Sequence, residues 1–421
     1  MDSLSYWAAT TSEQKRHRDT PLPGAVDCAV VGGGLTGLSA AYHLAREGLR
    51  VALLEREHLG WGASSRNGGM GIPHMHGSIE ALIREHGLEA TRRMFLASVE
   101  ANQLAKDLIA REGIDCYLQE TGSFGAAYRP SHYGYLELLH HRMAELFDHP
   151  TRLVPPERLR EELGTEGYHG GLVDESSIGL HPARFVAGMG QAADRAGVSL
   201  HEGTPAQKIR RAGAGFEVET ARGTLAAREV VIATNGYTGD LTPSFRRRVV
   251  PVTSFSIVTE PLDKSLADQL IPHRRMVYDT KNNLYYFRVL PDNRMLFGGS
   301  PRYTPGSAAR AGEHLRRGMV ALFPALSEVR IDYAWGGLCG ITFDRMPHTG
   351  QMDGLHYALG YNGDGLTMSV YMGRSLAQTI TGQSESHPFA NLDFPSNPFY
   401  HKRPWFLPLV KAYFHTKDRI S

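Results

Sequence analysis

The sequence predicts an α/β fold: one unit on a mostly parallel sheet and a second unit on an antiparallel sheet. Three observations predict it. The apolar run Cys28 to Val31 leads straight into a glycine-rich turn, a helical pattern and a second apolar run, "RVALLE". Late in the chain, "HYALGYNGDGLTMSVYMGRSLAQTITG" (356–382) repeats the order strand, glycine loop, helix. From Val249 to about Tyr333 strands dominate, as "VTSFSIVTE", "NNLYYFRVL" and "RMLFGGS".

Composition narrows the function classes. A chain of 421 residues exceeds one simple core, so two domains are expected. The formal net charge of +1 gives no nucleic-acid footprint. Cys28, Cys116 and Cys339 have no paired spacing, which argues against a disulfide framework or zinc knuckle and fits a reducing compartment. The first 24 residues are polar and read as no signal peptide, and no apolar run approaches a membrane span. A cytoplasmic protein is the expectation.

The segment from Asp27 to Glu57 carries the first chemistry. Gly32, Gly34 and Gly37 make G-x-G-x-x-G between a strand and a helix, and Glu55 ends the second strand. Gly32 serves a tight turn, Gly34 a close approach to pyrophosphate, and Gly37 helix–strand packing. The helix start at Leu35 and Thr36 faces phosphate charge. Glu55 suits the two hydroxyls of an unphosphorylated ribose, with Arg56 beside it, which disfavours NADP. Soon after comes "GASSRNGG", Gly62 to Gly69. A nicotinamide domain has no need of this second loop, whereas the longer FAD does. Ser64, Ser65, Arg66 and Asn67 can reach the pyrophosphate or ribityl chain. Gly68 and Gly69 can admit backbone close to the isoalloxazine.

The span from Val30 to Gly69 resembles the FAD-binding start of the D-amino acid oxidase superfamily, which includes the glycine and sarcosine oxidases. Within it, "GWGASSRNGG" and "SYWAATT" most resemble the γ-glutamylputrescine oxidases. The resemblance extends over nearly the whole chain. It implies a Rossmann-like FAD-binding domain in three pieces, 25–77, 169–248 and 334–385. The substrate domain comprises 78–168 and 249–333, and a tail, 386–421, packs on the surface. It also implies FAD contacts at Ala206 (adenine), Thr234, Asn235, Gly236 and Gly337. Further contacts fall in the late loop and helix start, Gly363, Gly365, Leu366 and Thr367. The implied reaction oxidises a C–N bond of an amine by hydride transfer to flavin N5, followed by imine hydrolysis and reoxidation by oxygen. The partners are a small-molecule amine and oxygen or another electron acceptor.

Departures from the family are as informative. In glycine and D-amino acid oxidases an Arg in W-x-G-x-R-P grips the substrate carboxylate. Here "WGGLCG" puts Cys339 in that place, which favours an amine over an α-amino acid. Cys339 falls about two residues from the flavin-tethering Cys of sarcosine oxidases, so FAD is expected to be non-covalent. Asp364 stands where the family shows His; it either pairs with a cationic amine or caps a helix. The oxygen-activating Lys of sarcosine oxidases has Leu296 near its place. Tyr286 and Arg288 share a strand face. They either hold a distal carboxylate or pack in the sheet, with Arg288 in an ion pair. His74 and His76 have chelate spacing, but no third ligand is evident, and a metal is not expected. A secondary-amine or N-methyl amino acid oxidase, and an FAD dehydrogenase using another acceptor, remain as alternatives.

Overall fold

The apolar run 25–31 forms strand β1 (Ala25–Val31), every residue from Cys28 onward being buried or nearly so. Gly32 leaves the strand at φ +114, a conformation that only glycine adopts without strain. Helix α1 (Leu35–Arg46) follows, then β2 (Val51–Leu54), parallel to β1 with Cys28 opposite Val51. This is the strand–turn–helix–strand unit that the glycine pattern predicts. A computed structural model describes residues 4–12, 14–299, 308–383, 387–390, 392–397, 399–400 and 404–420.

After a short helix (Ile79–His86), Gly87 at φ +83 breaks the periodic run, and α2 (Leu88–Glu112) begins. The first sheet then gains β3 (Ser199–His201) and β4 (Gly223–Ile232). The second sheet takes β5 (Val249–Thr259), β6 (Tyr285–Val289), β7 (Met295–Gly299) and β8 (Ile331–Thr342). The chain returns to the first sheet through β9 (Leu355–Leu359) and α3 (Gly365–Ile380), and ends in α4 (Leu407–Ile420).

The spine of the first sheet runs 348–352, β9, β4, β1, β2, β3, with 206–212 and 215–220 attached beside β4 as antiparallel strands. Four neighbouring pairs, from β9 to β3, are parallel. The second sheet runs β8, β5, β7, β6, then 276–279, 123–126, 171–174 and 152–154. It is antiparallel except where 276–279 pairs with 123–126. The α/β class, with one mainly parallel and one mainly antiparallel sheet, is as expected.

Three boundaries differ from the sequence reading. Strand β8 belongs to the second sheet, although 334–342 falls in the segment assigned to the FAD unit. Residues 171–174 likewise pair in the second sheet. Conversely, α2, assigned to the substrate unit, buries Met94, Ala101 and Leu108 in one core with Leu38, Tyr42, Val370 and Met372 of α1 and α3. Its periodicity shows a buried face but not which sheet that face meets. The tail buries Tyr400 and Leu407 against Val250 and Val252.

Close packing explains two glycines. A Cβ at Gly37 would lie 1.9 Å from the Gly32 carbonyl oxygen, and one at Gly373 would lie 2.6 Å from the Thr36 carbonyl oxygen. Gly37→Ala is therefore expected to destabilise by about 3 kcal/mol through overpacking. Gly48→Ala is expected to cost only about 1 kcal/mol, since its position at φ +84 faces open space and only backbone strain opposes the change. Urea unfolding of both variants checks the order.

Candidate active site

Glu55 closes over the glycine turn from the end of β2. Its carboxylate accepts from Gly33 N–H at 2.7 Å and from Glu57 N–H at 2.8 Å. A carboxylate has about four lone-pair sites, so acceptor capacity remains for ribose hydroxyls. The Ser64 hydroxyl accepts from Leu35 N–H at 3.0 Å, so the loop 62–69 folds back onto the N-terminus of α1. Loop and helix end thus make one anion-receiving face. Any Cβ at Gly34 would sit 2.8 Å from the Ser64 hydroxyl, which reserves the space beside the turn. Thr204 N–H donates to the Glu55 carbonyl at 2.8 Å, setting Ala206 two residues beyond the same corner. Arg56 is exposed, with its guanidinium over Trp61. These residues fit FAD: a glycine cradle, an acid with spare acceptor sites and a helix N-terminus converge.

The second loop is held from behind. Trp7 Nε1 donates to the Asn67 carbonyl at 2.8 Å and Trp335 Nε1 to the Arg66 carbonyl at 2.9 Å. Arg288 donates to the Gly69 carbonyl and, at 3.3 Å, to the Leu180 carbonyl. Inside the loop, Asn67 Oδ1 accepts from Gly69 N–H and Asn67 Nδ2 donates to the Ala63 and Ser64 carbonyls. Ser65 donates to the Gly60 carbonyl. Arg66 donates to the Trp61 carbonyl at 3.0 Å and the Gly336 carbonyl at 3.3 Å.

Arg288 therefore corrects the sequence reading. It does share a face with Tyr286, and both approach the loop: a Cβ at Gly68 would lie 2.9 Å from the Tyr286 ring. The guanidinium, however, is buried and committed to backbone carbonyls, so it neither forms a surface ion pair nor offers itself to a distal carboxylate. Burial pulls its pKa down to about 10. Tyr286 turns its hydroxyl to Ser256 at 3.0 Å and Ser254 at 3.2 Å. Leu296, opposite Arg288 on β7, is fully buried with Trp7 and Trp335.

Strand β8 brings Cys339 opposite Val252. Gly337 lies against Arg66, where a Cβ would be 3.1 Å from its Cβ. The turn after β4, Thr234 to Gly236, presses on β8: a Cβ at Gly236 would be 3.1 Å from Cys339 backbone, and Asn235 Oδ1 accepts from Gly360 N–H. Cys339 is half-buried on this strand. Burial, reinforced by the Asp364 charge, pushes its thiol up to about 11. At neutral pH it is an uncharged thiol, unpaired with the other cysteines.

Asp364 stands at the N-cap position of α3, but its side chain accepts no helix N–H. The capping reading fails here because the carboxylate turns to His76, with Oδ2 2.9 Å from Nε2. Burial alone would raise its pKa; the His76 contact and the charge of Arg345 oppose it, and the carboxyl is held below its usual range. The third group near the histidine pair, absent from the local sequence signal, is thus Asp364. Gly363 is exposed at φ +117, Gly365 opens the helix, and Leu366 and Thr367 are buried behind it.

Sequence reasoning missed Trp7, Trp335, Tyr237 and Arg345. Tyr237 accepts from Leu338 N–H at 3.3 Å, and Arg345 donates to His76 Nδ1 at 3.0 Å. Trp7 and Trp335 lie in family motifs, but the partner of all four is tertiary, each acting on a segment remote in sequence.

Residues 27–379 match the family described as FAD dependent oxidoreductase. This chain belongs to that family. It is 32% identical to the γ-glutamylputrescine oxidoreductase of Escherichia coli, over 99% of this chain and 98% of the relative. It is also 31% identical to a probable oxidoreductase OrdL of Rhizobium meliloti, over 99% and 97%. The crystal structure of glycine oxidase from Geobacillus kaustophilus superposes with a TM-score of 0.72 and 25% identity, covering 90% of this chain and 99% of that one. The protein is an FAD-dependent oxidoreductase of the amine and amino acid oxidising type. Among the described residues no helix is long and apolar enough to cross a membrane.

Trp7→Phe keeps an aromatic side chain but removes the donor and part of the buried indole. Leaving the Asn67 carbonyl without it is expected to cost about 1–3 kcal/mol, seen as a lower urea midpoint and faster flavin release on dilution. Glu55→Gln is expected to weaken FAD binding by about 1.5–3 kcal/mol, because an amide replaces a charged acceptor; flavin fluorescence during dilution measures it. Acid should weaken the fold through buried histidines. His181 caps the helix at 182–195, accepting from Arg184 N–H at 3.2 Å, and burial lowers its pKa to about 3. Unfolded histidine titrates near 6.5, so the unfolded chain binds more protons between those values. Its contribution is complete above about pH 6.5 and fades toward 3; Tm against pH should be flatter in His181→Asn.

Proposed function

We propose that this chain oxidises a primary amine whose reacting carbon bears no carboxylate, of the γ-glutamylputrescine type. The observation that carries the proposal is the pair Cys339 and Asp364. An uncharged thiol stands where a carboxylate-gripping Arg stands in glycine oxidases, and an ionised carboxyl lies near enough to raise that thiol's pKa. Such a wall repels an α-carboxylate and attracts an ammonium group. Arg66 and Arg288 keep their charge but direct donors to backbone carbonyls rather than to an open face of the site. The relative in Escherichia coli, named for γ-glutamylputrescine, supports the same substrate class.

When bound, FAD supplies the two-electron acceptor for the C–N bond. The chain's own part is to hold and shape. Gly32, Gly34 and Gly37 would admit the pyrophosphate, Glu55 would take the ribose hydroxyls, and the loop 62–69 would hold the remainder. The N-terminal N–H groups of α3 favour negative charge on a ring placed against them. Tyr286 and Cys339 bound the space where the amine enters. The bound ammonium group first loses a proton to solvent; loss of hydride from its carbon to the acceptor then leaves an iminium ion, which water hydrolyses to aldehyde and ammonium. Oxygen is the proposed final acceptor. A second reading, a dehydrogenase with another acceptor, is favoured by one observation: Leu296 is apolar and buried where sarcosine oxidases carry Lys.

The purified protein is expected to be yellow and to release FAD into the supernatant on acid precipitation. Without oxygen, γ-glutamylputrescine should bleach the flavin at a rate at least about tenfold above glycine or sarcosine; bleaching by glycine alone would overturn the assignment. Cys339→Arg should lower the amine rate at least about tenfold by placing a cation in the site, a loss of about 1.4 kcal/mol in transition-state binding. Peroxide formation in air, compared with dye reduction in its absence, separates oxidase from dehydrogenase.

A further inference from the structure

Four polar side chains from three segments meet beside the start of α3. His74 and His76 come from the loop after 70–71, Asp364 from the helix start and Arg345 from the turn after β8. One ligand atom each of His74, His76 and Asp364 lies within 4.8 Å of the others. The two imidazoles stand at 90° with centroids 5.0 Å apart. The family chemistry described above assigns no role to these histidines.

The cluster has two chemical readings, a metal ion or an organic cation, and proton placement separates them. Arg345 has only donors, so His76 Nδ1, 3.0 Å from Nη2, accepts. With Nδ1 accepting, the ring carries a proton on Nε2, which lies 2.9 Å from Asp364 Oδ2 without hydrogen-bond alignment. A metal would need a lone pair on that Nε2, and the ring's other nitrogen would normally donate to a carbonyl or carboxylate. Here a guanidinium occupies that place. The arrangement opposes a metal and leaves an ionised carboxylate next to His74.

His74 completes the receptor. Its side chain is exposed and lines the small cavity beside the start of α3. Desolvation by the neighbouring protein pulls its pKa down to about 4, so the ring is neutral at pH 7.5 and offers an acceptor nitrogen. Acceptors placed about 2.8 Å from an –NH3+ nitrogen are about 4.6 Å apart, comparable with the spread found here.

We propose that Asp364 and His74 form the receiving site for the primary ammonium group of the substrate, with His76 and Arg345 as positioning residues that fix the carboxylate. This rests on the amine reading above and names the groups that select the amine. The charged and titratable groups that face the pair are His76 and Arg345; Cys339 and Tyr278 feel the Asp364 charge from the second sheet.

The test uses the FAD holoenzyme and tert-butylamine, which has no hydrogen on the carbon bearing nitrogen and so binds without turnover. Calorimetric titration at pH 7.5 should show binding that falls at least about tenfold in Asp364→Asn, as expected for loss of a charged partner. A smaller fall is expected in His74→Phe. His76→Asn should raise KM for the amine substrate more than it lowers kcat. In the wild type, tert-butanol, the uncharged analogue, should bind at least about tenfold more weakly, a comparison that needs no variant. Equal binding of amine and alcohol, or an Asp364→Asn holoenzyme with unchanged affinity, would overturn the proposal. So would tight binding of Zn2+ alone that His74→Phe, His76→Asn and Asp364→Asn each abolish without loss of amine affinity. Asp364-dependent binding of tert-butylamine with no oxidation of any amine would leave this site standing and sink the proposed function instead.

Discussion

Three buried N–H donors hold the loop 62–69, and the site depends on them. The loop has one short turn of regular structure, Ala63–Ser65, and little apolar bulk of its own. Its carbonyls at 66, 67 and 69 nevertheless each meet a donor from a different part of the chain: β8, the N-terminal helix 6–9 and β6. A buried carbonyl left without a donor is costly, so these bonds fix the loop more strongly than its own sequence can. Arg288 shows the cost accepted for this: a buried guanidinium without a carboxylate partner, its Nε bonded to nothing among the described residues.

That clamp also ties the two sheets together. β6 and β8 belong to the antiparallel sheet, while the loop follows β2 of the parallel one. The loop that follows Glu55 is therefore fixed to the second sheet through Trp335 and Arg288. The packing of Gly236 against β8 acts in the same direction from the other side. Preorganisation of this kind lets residues bind and orient without moving during the reaction.

On the proposed reading, charge beside the amine is set by two residues. Cys339 stands in place of a cation, and Asp364 is an anion whose ionised form is favoured by the His76 contact and the charge of Arg345. Burial would otherwise push that carboxyl toward neutrality. The neighbouring histidines thus give Asp364 a role that a helix cap would not explain.

The sequence by itself determined the first strand–turn–helix–strand unit. Gly32, Gly34, Gly37 and Glu55 lie within it, so short-range spacing carries its geometry, and periodicity marked the strands on both sides. It also marked the second sheet, because alternation along a strand is local. The tertiary structure alone decided what distant segments do to one another. It joined α2 to α1 and α3, and placed β8 in the second sheet. It sent Arg288 to backbone rather than substrate, and brought Asp364 to His74 and His76 across nearly three hundred residues. The reason is physical: a side chain's type fixes what it can donate or accept, but its partner is set by long-range packing, which leaves no spacing to read.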